Sequence, residues 1–276
     1  MNILICTDAS QHSETAADLV NKLNLPEIAR IVVLGVSEED GDQVDLSNSF
    51  ERIRNLLVGH KKETEFKMKF GNPVEEIVIE ANSIKAELVA IGAYGKSHWF
   101  LGRSAGSTIT RLSRIIPIPL LVARNVSTEF TKVLVCTSGE PPALENLSIA
   151  AKFLSKIQAD IYLLHVMSQI ALRLESSSDD LLNNAEAAMM RESLEGLHLK
   201  KAVQVLRENG VQSNVYPLLK HGLVVDEVLS EIKKGKFDLL VIGRHFHQSH
   251  VQWIDMLLED ITGELIKQAS CSVLAI

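Results

Sequence analysis

Short apolar runs recur along the chain, each followed by a stretch whose apolar residues fall at helical spacing. The first run, Asn2 to Cys6, leaves through the turn Thr7-Asp8-Ala9-Ser10. Ser10 is positioned to N-cap a helix in which Ala16, Leu19, Val20 and Leu23 share one face. Ile31 to Val36 is a second run, and Ser49 to Lys62 reads as a helix with Phe50, Ile53, Leu56 and Leu57 inward. Glu65 to Phe70 alternates in character. Gly71-Asn72-Pro73 then opens a helix with Val74, Ile77, Val78 and Ala81 inside. Leu88 to Ile91 ends on Gly92, and after a glycine-bearing loop Ser107 and Thr108 head a further helix. Ile109, Leu112, Ile115 and Ile116 form its apolar face, Pro117 and Pro119 stop it, and Leu120 to Ala123 is a fifth run. Continuous apolar runs of this length are strands buried on both faces of a parallel sheet. Five of them alternating with four helices predict an α/β fold with a doubly wound, five-stranded parallel sheet, Rossmann-like in its winding.

The same unit then starts again. Lys132 to Ser138, KVLVCTS, echoes Asn2 to Asp8, NILICTD. Leu147 to Ile157 matches the first helix and Ile161 to Met167 the second strand. A helical pattern from Asp179 to Asn209 carries Met189, Met190, Leu194, Leu197 and Leu206, a stripe read as core or partner contact. Val215 to Leu219 is the third strand. The segment His221 to Val228 parallels Phe70 to Ile77, FDLLVIG at 237–243 repeats AELVAIG at 86–92, and Ser272 to Ile276 is the last strand. Such self-similarity is an internal duplication. It predicts domains over 1–126 and 131–276, joined by the polar stretch around Asn125 to Phe130.

The 276 residues suit two domains, and a hydrophobic share of 46% supplies two cores. With 28 basic and 35 acidic residues the net charge is −7, without a basic block, which argues against nucleic acid as the main partner. No apolar stretch approaches the ~20 residues that span a bilayer, so no membrane partner is expected. The opening MNILICTDAS enters a strand at once, without a charged leader region or a cleavage site. Three cysteines cannot all pair, and Cys6 and Cys136 end apolar strands. Buried free thiols fit a reducing compartment, so a cytoplasmic location is expected.

The loop between the fourth strand and fourth helix holds Gly92, Gly95, Gly102 and Gly106 ahead of Ser107 and Thr108. Glycines there let backbone N–H groups approach an anion, and the helix N-terminus adds positive potential. The same glycines could instead shape a plain crossover turn, Ser107 and Thr108 a plain cap, and Asp8 a turn. Neither the dinucleotide fingerprint nor the P-loop pattern is present. In the second copy Ser138 stands for Asp8, Phe246 for Gly95 and Asp260-Ile261 for Gly106-Ser107, so an anion site is expected in the first copy only.

Together these features resemble the universal stress protein family in its tandem form. Its ATP-binding members carry G-x2-G-x9-G-[ST], and this chain has Gly92, Gly95 and then Gly106-Ser107, with ten residues in place of nine. The resemblance implies ATP or another adenine nucleotide as ligand, with Mg²⁺ as a candidate companion ion. Asp8 then matches the aspartate that helps hold the nucleoside, Val36 the position whose backbone contacts adenine, and Ile91 the apolar residue before the first glycine. Gly92, Gly95, Gly106, Ser107 and Thr108 match the ribose- and phosphate-binding loop. It also implies a stress-related role with hydrolysis slow or absent. The degenerate second domain would form an intrachain pseudo-dimer through the last strands, and the chain could itself form a homodimer. The alternative is a scaffold or small-ligand binding protein of the same fold.

Other candidates are weaker. His245, His247 and His250 in RHFHQSH offer imidazoles to a metal, but no Cys or second His pair flanks them, so no metal site is assigned. They could instead make the vestigial site pH-sensitive or bind an acidic ligand with Arg244. Lys96, His98 and Arg103 could screen phosphate charge or form a solvated lid. Trp99 and Trp253 occupy comparable loops. Gly102-Arg103-Ser104-Ala105-Gly106 satisfies the G-x-S-x-G frame. A nucleophile elbow needs its serine in the sharp turn directly after a strand, and here the strand has already ended at Gly92. No catalytic residues are assigned.

Overall fold

The computed structural model describes residues 1–23, 25, 28–38, 43–57, 63–93, 107–124, 130–139, 142–167, 185–190, 192–244 and 261–276. They form two compact units, one of Met1–Thr128 with Cys271–Ala275, the other of Glu129–Ser270 with Ile276. Among the described residues of the first unit, β1 (Asn2–Thr7), β2 (Arg30–Ser37), β3 (Glu63–Phe70), β4 (Leu88–Gly92) and β5 (Leu120–Ala123) alternate with four helices. These are α1 (Gln11–Lys22), α2 (Gln43–Leu56), α3 (Pro73–Ser83) and α4 (Ser107–Ile115). The strand order is β3-β2-β1-β4-β5, all parallel. Ile3, Leu4 and Ile5 of β1 are fully buried, as a strand covered on both faces requires.

The fifth apolar run of the second copy, expected to close that copy's own sheet, is β10 (Ser272–Ala275). Its Val273, Leu274 and Ala275 pair antiparallel with Val122, Leu121 and Leu120 of β5. The first unit therefore carries a sixth, antiparallel strand. Four wholly buried residues give β10 no polar face that would favour one pairing direction, so periodicity alone did not reveal it.

In the second unit β6 (Lys132–Thr137), β7 (Asp160–Met167), β8 (Val215–His221) and β9 (Leu239–Ile242) run parallel in the order β9-β6-β7-β8. The Ile276 backbone donates to Ile242 and accepts from Arg244, so the C-terminal residue flanks β9. Among the described residues its helices are α5 (Pro142–Leu154), α6 (Ala185–Met190), α7 (Leu194–Glu208), α8 (Val224–Gly235) and α9 (Ile261–Gln268).

The duplication reaches individual backbone angles. Gly71 and Gly222 precede α3 and α8 with φ of +146° and +142°, a region that L side chains rarely adopt. Their N–H groups donate to the carbonyls of Ser37 and Met167, the last residues of β2 and β7. Lys85 and Lys236, which follow α3 and α8, both lie in the left-handed region. Glu87 accepts from the backbone of Asn2, and Asp238 from the backbone of Thr131 and Lys132, so an equivalent carboxylate tethers the first strand of each unit.

Several expectations shift. The second helix runs Gln43–Leu56 rather than from Ser49, and Ser49 is a fully buried residue in its middle. Ile53 and Leu57 are buried as expected, while Phe50 and Leu56 are half-buried. Ile115 is 52% exposed, because Ile109, Leu112 and Ile116 already fill the inner face of α4. The first helix of the second unit begins at Pro142, not Leu147, since proline suits the first turn of a helix. Of the helical region from Asp179, residues 179–184 and 191 lie outside the described residues. The remainder is two helices, broken where Glu192 takes φ +56° and the Ser193 hydroxyl accepts from Gly196 N–H. Met190 and Leu194 are exposed rather than core. Gly196 instead makes the contact, because a Cβ there would stand 2.1 Å from the Ala188 carbonyl oxygen.

Charge holds α3 to the edge strand β3. The Glu80 carboxylate, only 3% exposed, pairs with Lys67 at 2.9 Å and Lys69 at 3.3 Å. Burial by itself would raise its pKa, but the hydrogen bonds from the two lysines outweigh burial and lower it. Glu65 continues the network, bonded to Arg30 and Lys67, with its own pKa lowered first by the Arg30 hydrogen bond.

Candidate functional site

In the first unit the strand order reverses direction at β1, which has β2 on one side and β4 on the other. The carboxyl ends of the strands at such a reversal leave a crevice, because the crossing helices diverge to opposite faces. Register aligns Thr7 with Gly35 and Cys6 with Ile91. Asp8, Val36, Ile91 and Gly92 therefore reach the same edge of three neighbouring strands. Ser107 and Thr108 open α4, whose Ile109, Leu112 and Ile116 anchor it to the core. Gly95 and Gly106 lie outside the described residues, as do Lys96, His98, Trp99, Arg103 and Ser104.

The turn after β1 is tightly determined. Ser10 occupies the N-cap position of α1, but its side chain makes no cap bond. Its backbone N–H donates to Asp8 Oδ1 at 3.0 Å and its hydroxyl donates to the same oxygen at 2.6 Å. Ala9, between them, has φ +65°, an uncommon conformation for a residue with a Cβ. Its N–H donates to Thr7 Oγ1 at 3.0 Å. Thr7 Oγ1 also lies 2.7 Å from Ser13 Oγ and 2.9 Å from Ser49 Oγ. A buried hydroxyl, one from each of α1 and α2, thus meets the strand residue before Asp8. Gly35 lets α2 close down: a Cβ there would stand 2.9 Å from Leu46 and 3.0 Å from Phe50. Thr7, Ser13, Ser49 and Gly35 were not singled out from sequence, although both copies keep the Cys-Thr pair at the strand end.

The second unit builds the corresponding edge differently. The Thr137 hydroxyl lies 2.9 Å from His198 Nε2 of α7, and its carbonyl accepts from His165 Nδ1 at 3.0 Å. A carbonyl only accepts, so His165 carries its proton on Nδ1. The two imidazole centroids are 5.3 Å apart. His165 pairs in register with Thr137 as Gly35 does with Thr7, so an imidazole stands where the first unit has no side chain. Burial, followed by the nearby His165 and Lys201, pulls the His198 pKa down to about 4. Asn146 of α5 fills the space that a Cβ on Gly243 would need. Arg244 is buried, and burial lowers its pKa to about 10. His245, His247, His250, Phe246, Trp253 and Asp260 lie outside the described residues. Among the described residues no three or more His, Cys, Asp or Glu side chains converge to hold a metal, and no helix is long and apolar enough to cross a membrane.

Comparison with known proteins places these features in a family. The sequence pattern of the Universal stress protein family matches residues 1–124 and again 129–276. A universal stress protein from Archaeoglobus fulgidus DSM 4304 shares 17% identity, with 99% of this chain and 97% of that chain covered at a TM-score of 0.65. A functionally unknown protein from Pseudomonas aeruginosa PAO1 shares 12% identity, with 100% and 92% covered at 0.65. A universal stress protein solved in complex with cAMP shares 16% identity, covers 54% of this chain and 98% of its own length, and has a TM-score of 0.40. Curated proteins gave no match.

Proposed function

This chain belongs to the universal stress protein family, with two family domains in tandem, and we propose that its first domain binds ATP or another adenine nucleotide. The observation that carries this proposal is the meeting of the Asp8 turn and Gly92 at adjacent strand ends, where the strand order reverses. An Asp8 carboxylate suits ribose hydroxyls, the Val36 backbone suits the adenine edge, and Ile91 can flank the purine. Phosphates would take the loop from Gly92 through Gly95 and Gly106 to the N–H groups and hydroxyls at Ser107 and Thr108. The domain over 131–276 is proposed to lack the site, since Ser138 replaces Asp8 and His165 and Asn146 occupy space beside the strand ends. The cellular role would be nucleotide sensing in a stress response. The ten-residue spacing between Gly95 and Gly106 favours the rival, a scaffold or small-ligand protein without nucleotide.

Calorimetric titration of ATP and AMP into the full chain, with and without Mg²⁺, separates the two. The expected result is one site per chain, weakened at least about tenfold in Asp8→Ala, as loss of a charge-assisted hydrogen bond would give. Chromatography of the supernatant after denaturation checks for copurified nucleotide. No heat and no copurified nucleotide would hand the function to the scaffold reading.

A further inference from the structure

The hydrogen bonds beneath the Asp8 turn have a direction that the donor count fixes. Ser13 Oγ lies 2.6 Å from the Ser10 carbonyl, which only accepts, so the single Ser13 hydroxyl proton goes there. The Thr7 hydroxyl must then donate to Ser13 Oγ. Thr7 Oγ1, with two lone pairs, accepts from Ala9 N–H and from the Ser49 hydroxyl. Protons therefore point one way along the chain Ser49, Thr7, Ser13, Ser10. From Ser10 the N–H and hydroxyl turn back onto Asp8 Oδ1. Thr7 is 5% exposed, Ser13 2% and Ser49 0%, so water cannot substitute for a missing member.

We propose that Thr7, with Ser49 behind it, is a positioning residue for Asp8, so that α2 sets the aim of the carboxylate from beneath the turn. Three observations converge on it. Ala9 is held at φ +65°, and the Ala9 N–H to Thr7 Oγ1 bond constrains that conformation directly. The Ser49 hydroxyl comes from α2, which reaches β1 only because Gly35 leaves room for Leu46 and Phe50. In the second unit, where Ser138 replaces Asp8, the equivalent threonine is bonded to an imidazole and Ala143 follows it at the spacing of Ser13 from Thr7. Among the described residues, serine partners accompany the aspartate and are absent where it is absent. The part of this inference that concerns ligand affinity rests on the nucleotide proposed for the first domain.

Ser49→Ala and Thr7→Val remove hydroxyls with little change of shape, and Thr7→Ser keeps the hydroxyl. The first readout needs no ligand. Amide hydrogen exchange at Ala9 and Ser10, corrected for global stability, should quicken about five- to tenfold in Ser49→Ala and Thr7→Val and stay near wild type in Thr7→Ser. Unchanged exchange at both amides overturns the positioning role. The second readout titrates ATP and 2′,3′-dideoxy-ATP, which lacks the hydroxyls Asp8 would hold. Ser49→Ala should weaken ATP while sparing the dideoxy compound, moving their ratio towards that of Asp8→Ala. Equal loss for both overturns the role, because it is what a general structural defect gives. If the amides respond but wild type binds neither nucleotide, the positioning of Asp8 stands and the nucleotide proposal falls. Should Thr7→Val fail to fold, Ser49→Ala carries the test alone.

Discussion

The two units share strand order around their first strand, left-handed lysines after α3 and α8, and glycines of nearly equal positive φ, yet their carboxyl edges differ in kind. The first is built from small groups: Gly35, Ser13, Ser49 and the Thr7 hydroxyl, with a carboxylate above them. The second is filled by His165, His198 and Asn146. A shared backbone thus fixes where a site can be, while side-chain volume beside the strand ends decides whether there is room for a ligand. If the first domain binds nucleotide as proposed, that division would let a duplicated fold keep its architecture while only one copy keeps a site.

Gly196→Ala should separate the two units most strongly. The added methyl meets backbone, which cannot give way, so the second unit should lose about 3 kcal/mol or more, seen as a lowered denaturant midpoint. ATP binding by the first unit should survive in native buffer.

Acid separates the units next. The His198 pKa is depressed to about 4 from 6.5, so the folded second unit binds fewer protons than the unfolded chain between those values. Its stability is full above about pH 6.5, falls as pH drops, and stops falling near pH 4, a loss on the order of 2 kcal/mol. His198→Gln should flatten that decline in urea melts taken between pH 6.5 and 5. In the first unit Glu80 and Glu65 have lowered pKa values, so their contribution is complete above the ordinary carboxylate range and disappears only below about pH 4.5. Glu80→Gln should therefore change the melts most at neutral pH and least in strong acid.

A smaller effect is expected at Gly35→Ala. Its methyl would meet the side-chain ends of Leu46 and Phe50, which can shift, so the cost should be about 1 kcal/mol in denaturant melts. Nucleotide affinity should fall more than stability, because α2 carries Ser49. The smallest effect is the most pointed. Ser138→Asp, which restores the carboxylate alone, should add no second site in a titration, since His165 and Asn146 still fill the edge.

Much of this architecture was legible in the sequence. The runs Leu88–Ile91 and Ile161–Met167 and the Asn72-Pro73 helix start are local signals. Asn72 indeed accepts from the N–H groups of Val74 and Glu75. The repeat fixed the duplication because whole segments recur. What was not legible depends on tertiary partners. Ser49 reads as the first residue of a helix, and only Thr7 across the fold gives its hydroxyl a partner as an interior residue of α2. The stripe through Met190 and Leu194 was read across a break that no glycine or proline marks. His165 and His198 are far apart in sequence and are brought together around Thr137, with ring centroids 5.3 Å apart. Of the candidate site, the residues fixed to strands and to the start of α4 have described positions. Gly95 and Gly106 remain sequence assignments.

One edge of this molecule is proposed to accept a nucleotide and its duplicate to exclude it. Hydrogen–deuterium exchange of the full chain, with and without saturating ATP, reads both edges at once. Added protection is expected from Thr7 to Ser13 and at the start of α4, with none from Thr137 to Asn146. Protection of the second edge, or of neither, would contradict it.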